Sequence, residues 1–217
     1  TSTAAAPVVP ANAILYNDFR SNPYGGDHIN ISFGATPASE GATNGPNEPL
    51  SAIKTPNTAS GNLASTYSET YRAAVGLTGW TMNSVYESCG TLKIGTGSAK
   101  GGITTPALTG ITGTQDVFFS FKAGAWFESS GNWNPPTTGT GDATGLIVKV
   151  AEGAGTIDGA EVGTPKERRI TVPADYTMSE YSVKVLGADN TTRLRIEAEV
   201  ATNNRFILDD VLVVPVP

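Results

Sequence analysis

Apolar and polar residues alternate with a period of two over much of the second half of the chain, which is the pattern of strands with one buried and one wet face. Val117, Phe119 and Phe121 share one side of residues 116–123, and Leu146, Val148 and Val150 share one side of residues 145–150. The same alternation runs through 168–172, 180–185 and 192–198. Shorter apolar runs at 13–16, 29–33, 91–95 and 102–106 predict further strands between Gly-rich and polar turns. One helical stretch stands out, residues 68–75, with Ser68 as N-cap and Gly76 as its stop. Strands do not alternate with helices along the chain, so a parallel sheet is excluded. The pattern predicts an all-β domain of two antiparallel layers with about ten strands.

The last strand, 205–214, breaks its own pattern. Asp209 and Asp210 sit side by side inside an apolar run. Strict alternation puts one of them on the side of Phe206, Leu208 and Leu212, in or along the core. A buried carboxylate requires a partner: a cation, a cluster of backbone N–H groups or an arginine. First and last strands of a sandwich commonly lie side by side, which would bring Asp18, just after the first strand, to the same place. Carboxylates and carbonyls suit a hard cation such as calcium. The other reading has the aspartates hydrogen-bonded to backbone N–H groups at the strand ends.

Composition narrows the class. Of 217 residues, 39% are hydrophobic and 16% charged, well under the usual ~25% charged. Residues 1–11 read as a tether, 12–214 as a single domain, and the Pro-rich 215–217 as a linker or chain end. The opening Thr-Ser-Thr-Ala-Ala-Ala-Pro reads as the mature end of an exported protein whose signal was removed, with a lipid anchor as one way of holding it at a cell surface. No run of eighteen apolar residues exists to span a membrane as a helix. The net charge is −6 and no Lys/Arg cluster exists. Nucleic acid is therefore excluded as a partner and a polyanion disfavoured, while neutral sugars and cations are easier partners. The single cysteine, Cys89, cannot form an intrachain disulfide.

Several segments together resemble a known group of domains. They are Tyr16-Asn17-Asp18-Phe19, Gly79-Trp80, residues 92–98, residues 102–108, residues 117–123 and the terminal run 206–213. The set resembles the jelly-roll domains of exported surface proteins of gut Gram-negative anaerobes and, more distantly, MAM-like and carbohydrate-binding-module sandwiches. The resemblance spans 14–214 and implies a two-layer antiparallel jelly-roll β-sandwich. It also implies a structural calcium shared by Asp18 and the Asp209/Asp210 pair. This chain departs from the group at Asn17, where Glu or Asp is common, and that weakens the implied site.

Candidate ligand residues come from the polar insertion 126–142. Sugar rings present apolar C–H faces, and an indole offers a flat partner with a polar N–H. Trp133 with Asn132 and Asn134 is the leading set, with Asp142 and Glu128 as further hydroxyl partners; Trp126 is the second indole, although capping of the core competes for it. The long first loop adds Tyr24. The lone His28 is the only base available to a serine triad, and no nucleophile elbow or phosphate loop accompanies it. The function these residues predict is a non-catalytic, extracytoplasmic, cell-surface module that binds carbohydrate. A structural or adhesive domain without a sugar site is the alternative, and a glycoside hydrolase or lyase on the same fold comes third.

Overall fold

The computed structural model describes residues 9–19, 62–65, 68–88, 91–126, 141–142, 144–174 and 178–217. Among them run β1 (Leu15–Asn17), the short helix α1 (Glu69–Ala74), β2 (Thr81–Asn83), β3 (Val85–Ser88), β4 (Thr91–Ile94), β5 (Gly102–Thr104), β6 (Gln115–Ala125), β7 (Thr144–Glu152), β8 (Thr156–Ile157), β9 (Glu167–Val172), β10 (Ser179–Ala188), β11 (Arg193–Ala198) and β12 (Phe206–Pro215). They form the predicted two-layer antiparallel sandwich. One sheet has seven strands in the order β3-β4-β12-β6-β10-β8, with β1 also on β12; the other has five in the order β2-β5-β11-β7-β9. Alternation supplies the core: Phe119 and Phe121 of β6, Leu146 and Val148 of β7, Leu194 and Ile196 of β11, and Val183 and Val185 of β10 are all at most 1% exposed. Phe121 stacks at a tilt between Phe119 and Tyr181, with ring centroids 5.8 and 5.7 Å away.

The helix forms where predicted. Its first hydrogen bond runs from the Arg72 N–H to the Ser68 carbonyl at 3.0 Å, and Glu69 lies in the first turn, where an acid favours the helix dipole. It ends in paired bonds, Leu77 N–H to Arg72 O and Gly76 N–H to Ala73 O. Gly76 has φ +79°, a conformation that glycine adopts without penalty. Leu77, 1% exposed, then anchors the chain in the core. Strands β2, β3 and β8 were not foreseen. The expected strand at 29–33 lies outside the described residues.

Strand β12 decides how the first and last strands meet. On one edge it pairs with β6 along its length. On the other it pairs with β4 through Phe206–Leu208, and then with β1 through Val211–Val213. The change of partner falls on Asp209–Asp210, where the register shifts and Asp210 takes φ +47°. This bulge overturns the expectation that one aspartate shares the core side with Leu208 and Leu212. The extra residue reverses the phase: Val211 and Val213 are fully buried in the core. Leu212 instead lies opposite Ser120 on the outer face. Both carboxylates stay on that outer face, a usual consequence of a bulge. The expected chain end is also tied down, since β12 runs to Pro215 and the Val216 N–H donates to Asp116 O at 3.0 Å.

Candidate functional site

The densest polar organisation among the described residues covers the outer face of the five-stranded sheet. Strand β11 turns Leu194, Ile196 and Ala198 into the core, so Arg193, Arg195 and Glu197 project outward. The register sets Arg195 between Thr104 of β5 and Lys149 of β7. Arg195 donates through Nε to Glu197 Oε2 at 2.6 Å, through Nη1 to Thr104 Oγ1 at 3.1 Å, and through Nη2 to Asn83 Oδ1. Glu197 Oε1 receives two ammonium groups, Lys149 at 2.9 Å and Lys100 at 3.1 Å. Burial alone would raise the Glu197 carboxyl, but the donors from Arg195, Lys149 and Lys100 outweigh it and hold the group down at about 2. The guanidinium lies flat over the sheet because position 102 is glycine; an added Cβ there would collide with Arg195.

Arg193 anchors the neighbouring edge. Its Nε donates to Thr105 O at 2.9 Å, its Nη2 to Gly79 O at 3.0 Å and to Thr81 Oγ1 at 3.2 Å, and its Nη1 to Glu152. It thereby walls a cleft of about 430 Å³, whose other lining includes Glu69, Arg72, Leu77, Thr78, Trp80 and Thr81. That volume suits a small-ligand site, with an apolar wall and a few placed polar groups. Trp80 packs edge-on against Phe19 at 5.8 Å and is only 7% exposed, so it supplies a wall and no stacking platform.

The expected metal residues are brought near each other, though not as three ligands around one point. Asp210 is taken by two donors, the Tyr16 hydroxyl at 3.0 Å on Oδ1 and Lys122 Nζ at 2.6 Å on Oδ2. Each of its two oxygens therefore already carries a donor. Burial first, then the bond to Asp210, raises the Tyr16 hydroxyl, and the bond to Asp210 raises the Lys122 ammonium. Asp209 accepts the Asp210 N–H at 2.8 Å. Burial first, then the charges of Asp210 and Asp18, push its carboxyl up to about 8 despite that bond. Among the described residues, no group of three His, Cys, Asp or Glu side chains is placed to hold a metal. Asn17 does what an acid could not: its amide donates to Gly76 O at 3.0 Å and accepts the Phe19 N–H at 2.8 Å. It so ties the end of β1 to the end of α1.

Trp133, Asn132, Asn134 and Tyr24, like His28, Glu128 and Cys89, lie outside the described residues. Two expected ligand residues prove to be internal. Trp126 is fully buried, with Lys93 Nζ 4.3 Å from the centre of its ring, so it offers no surface to a sugar. Asp142 clasps Arg205 through Nε at 2.6 Å, Nη2 at 2.9 Å and the backbone N–H at 2.9 Å, and both side chains are under 10% exposed. Lys100, Lys149, Arg193, Arg195 and Glu197 went unnoticed as site residues. The alternation of 193–198 carried the signal for the last three.

No family model and no curated protein matches the chain. Among solved structures it resembles a family 61 carbohydrate-binding module in complex with β-1,4-galactotriose, at 6% identity and a TM-score of 0.42 over 64% of this chain and 90% of that one. It also resembles the C-terminal family 6 module of a marine laminarinase from Zobellia galactanivorans, at 11% identity and a TM-score of 0.38 over 62% and 90%. A third is a family 22 xylan-binding domain from Paenibacillus barcinonensis, at 15% identity and a TM-score of 0.37 over 64% and 86%.

Proposed function

We propose that the chain is a non-catalytic carbohydrate-binding module of an exported cell-surface protein. Its ligand lies across the outer face of the five-stranded sheet and enters the cleft at the β2 edge. The observation that carries this reading is the convergence of hydroxyl, amide, guanidinium and carboxylate groups on one sheet face beside a cleft of about 430 Å³. Sugars are bound by such convergent donors and acceptors. Catalysis is not favoured at this face, because Glu197, held at about 2 and paired with three cations, has no proton to give as a general acid.

Affinity electrophoresis against a panel of soluble polysaccharides tests the reading, with Asn83→Ala and Trp133→Ala as the dividing variants. Retardation by at least one polysaccharide, lost in Asn83→Ala, supports the sheet face. Loss in Trp133→Ala alone moves the site to the 127–140 segment. No retardation by any glycan favours the structural or adhesive alternative.

Calcium is a narrower proposal than the sequence suggested. It places the cation between the Asp18 and Asp209 carboxylates, with backbone carbonyls and water completing the shell and Asp210 held by Tyr16 and Lys122. The desolvated Asp209 carboxylate, flanked by like charges, is a group that a cation would relieve. Its role would be to pin the junction of β1, β4 and β12.

A further inference from the structure

We propose that Lys100 and Lys149 form a subsite for the carboxylate of a hexuronide unit in an acidic polysaccharide, with Arg195 as the residue that positions the cluster. The proposal rests on the carbohydrate-binding reading and names the ligand class of that site.

Three cations share one carboxylate here. Lys100, Lys149 and Arg195 all bond Glu197, which leaves a local excess of positive charge. The neighbouring pairs on the face balance one to one, Arg193 with Glu152 and Arg169 with Glu199. Glu167 lies opposite Lys149 in the register and Glu199 acts on Lys100, so the excess is local to Glu197, on a chain whose net charge is −6. The excess was invisible along the sequence, where no basic cluster exists and an acidic ligand looked unfavourable. It arises because β5, β11 and β7 are neighbours in the sheet while lying far apart in the chain.

The cluster is open on its solvent side. The Lys100 and Lys149 side chains are 39% and 24% exposed, against 10% for Glu197 beneath them. An ammonium has three donors, and each lysine gives one of them to Glu197 Oε1. The remaining donors flank a position above Glu197 where an incoming anion meets two positive charges and one buried negative one. A carboxylate fits better than other anions because the cluster already solvates one: Glu197 takes both ammonium groups on one oxygen and the guanidinium on the other. A uronide would present the same planar group from the opposite side, while its ring hydroxyls reach Asn83, Thr104 and Thr81 along the face.

Calorimetric titration of the whole chain with oligogalacturonate, neutral oligogalactan and a sulfated glycan tests the proposal, using Lys100→Gln, Lys149→Gln, the double variant, and a distant Lys184→Gln control on the other sheet. Oligogalacturonate should bind the wild type, more weakly as salt rises. Each single variant should lose about tenfold and the double variant more, as expected for lost charge-assisted bonds. The distant control should keep wild-type affinity. Arg195 still pairs with Glu197 in these variants, and thermal melting checks that each is folded. If the double variant is unfolded, the single variants decide. Binding of neutral oligogalactan without oligogalacturonate overturns this inference and leaves the carbohydrate-binding reading standing. Binding of no glycan overturns both. Equal loss in the distant control, or equal or tighter binding of the sulfated glycan, overturns the assignment to a carboxylate.

Discussion

Two half-hidden carboxylates sit on opposite outer faces of this sandwich and meet opposite fates. Glu197, on the five-stranded sheet, is surrounded by Lys100, Lys149 and Arg195 and is held down at about 2. Asp209, on the seven-stranded sheet, is pushed up to about 8. Both are desolvated, and both lie on strands whose other face fills the same core. The difference lies in what the neighbouring strands bring. Around Glu197, β5, β7 and β11 converge with cations. Around Asp209, the bulge of β12 and the end of β1 gather Asp210 and Asp18, while the nearest cation, Lys122, is spent on Asp210. Desolvation sets the stakes for a buried charge, and lateral neighbours decide the sign.

The strongest way to break the comparison is to neutralise each acid in turn. Glu197→Gln removes the common acceptor of three cations and leaves them facing one another. It should lower stability by about 1–2 kcal/mol, less than for a fully buried pair because Lys100 and Lys149 are open to solvent, read as the midpoint shift in urea denaturation. Asp209→Asn in calcium-free buffer keeps an acceptor for the Asp210 N–H and replaces a carboxyl that burial already holds largely protonated at neutral pH, so it should change stability by under ~1 kcal/mol or raise it. Equal losses in the two variants would show that packing, and not charge, governs both sites.

Acid should erase the first difference. A carboxyl whose folded value is depressed stabilises the fold above its unfolded value and loses that contribution as pH falls. For Glu197 the window runs from 4.5 down to about 2. Across it the group's contribution, about 1–2 kcal/mol after screening by solvent, should fade. The gap between wild type and Glu197→Gln should therefore be full at neutral pH and close toward the bottom of the window, where protonated Glu resembles Gln. Urea midpoints of the two proteins at several pH values measure it, and a gap independent of pH would refute the ionic account.

Much of the fold was legible because its long strands carry clean alternation. β6, β7, β9, β10 and β11 appear where the period-two pattern put them, each longer by a residue or more at an end, or trimmed by one. β2, β3 and β8 are two to four residues long, too short to show a period, and Ser84 with φ +49° separates β2 from β3. The antiparallel neighbourhood of β1 and β12 was anticipated, but the bulge between them was not. A strand-long alternation cannot show that its pairing partner changes midway. The site was the least legible part. Its cations come from Lys100 ahead of β5, Lys149 in β7 and Arg195 in β11, and only the order of strands within the sheet makes them a cluster. Sequence reasoning placed binding in the aromatic insertion; its Trp126 and Asp142 are structural, held by burial and by Arg205, while Trp133, Asn132 and Asn134 lie outside the described residues.

The smallest expected effect sharpens the other side of the comparison. If Asp18 and Asp209 hold calcium, the cation supplies the positive charge that Lys122 does not give to Asp209, and the two faces become alike in kind. At a calcium concentration ten times the dissociation constant, binding to the folded state alone adds about 1.4 kcal/mol, a rise of about 3–5 °C in melting temperature for a chain of this size. Thermal melts in calcium and in EDTA measure the shift, and Asp209→Asn should abolish it while Glu197→Gln keeps it. Magnesium should act less, since it resists giving up its waters to a site with two carboxylates at a strand junction. Identical melts with and without calcium would leave Asp209 as a carboxyl kept neutral by burial. The bulge would then hold through the bonds of Asp210 to Tyr16, Lys122 and Asp209.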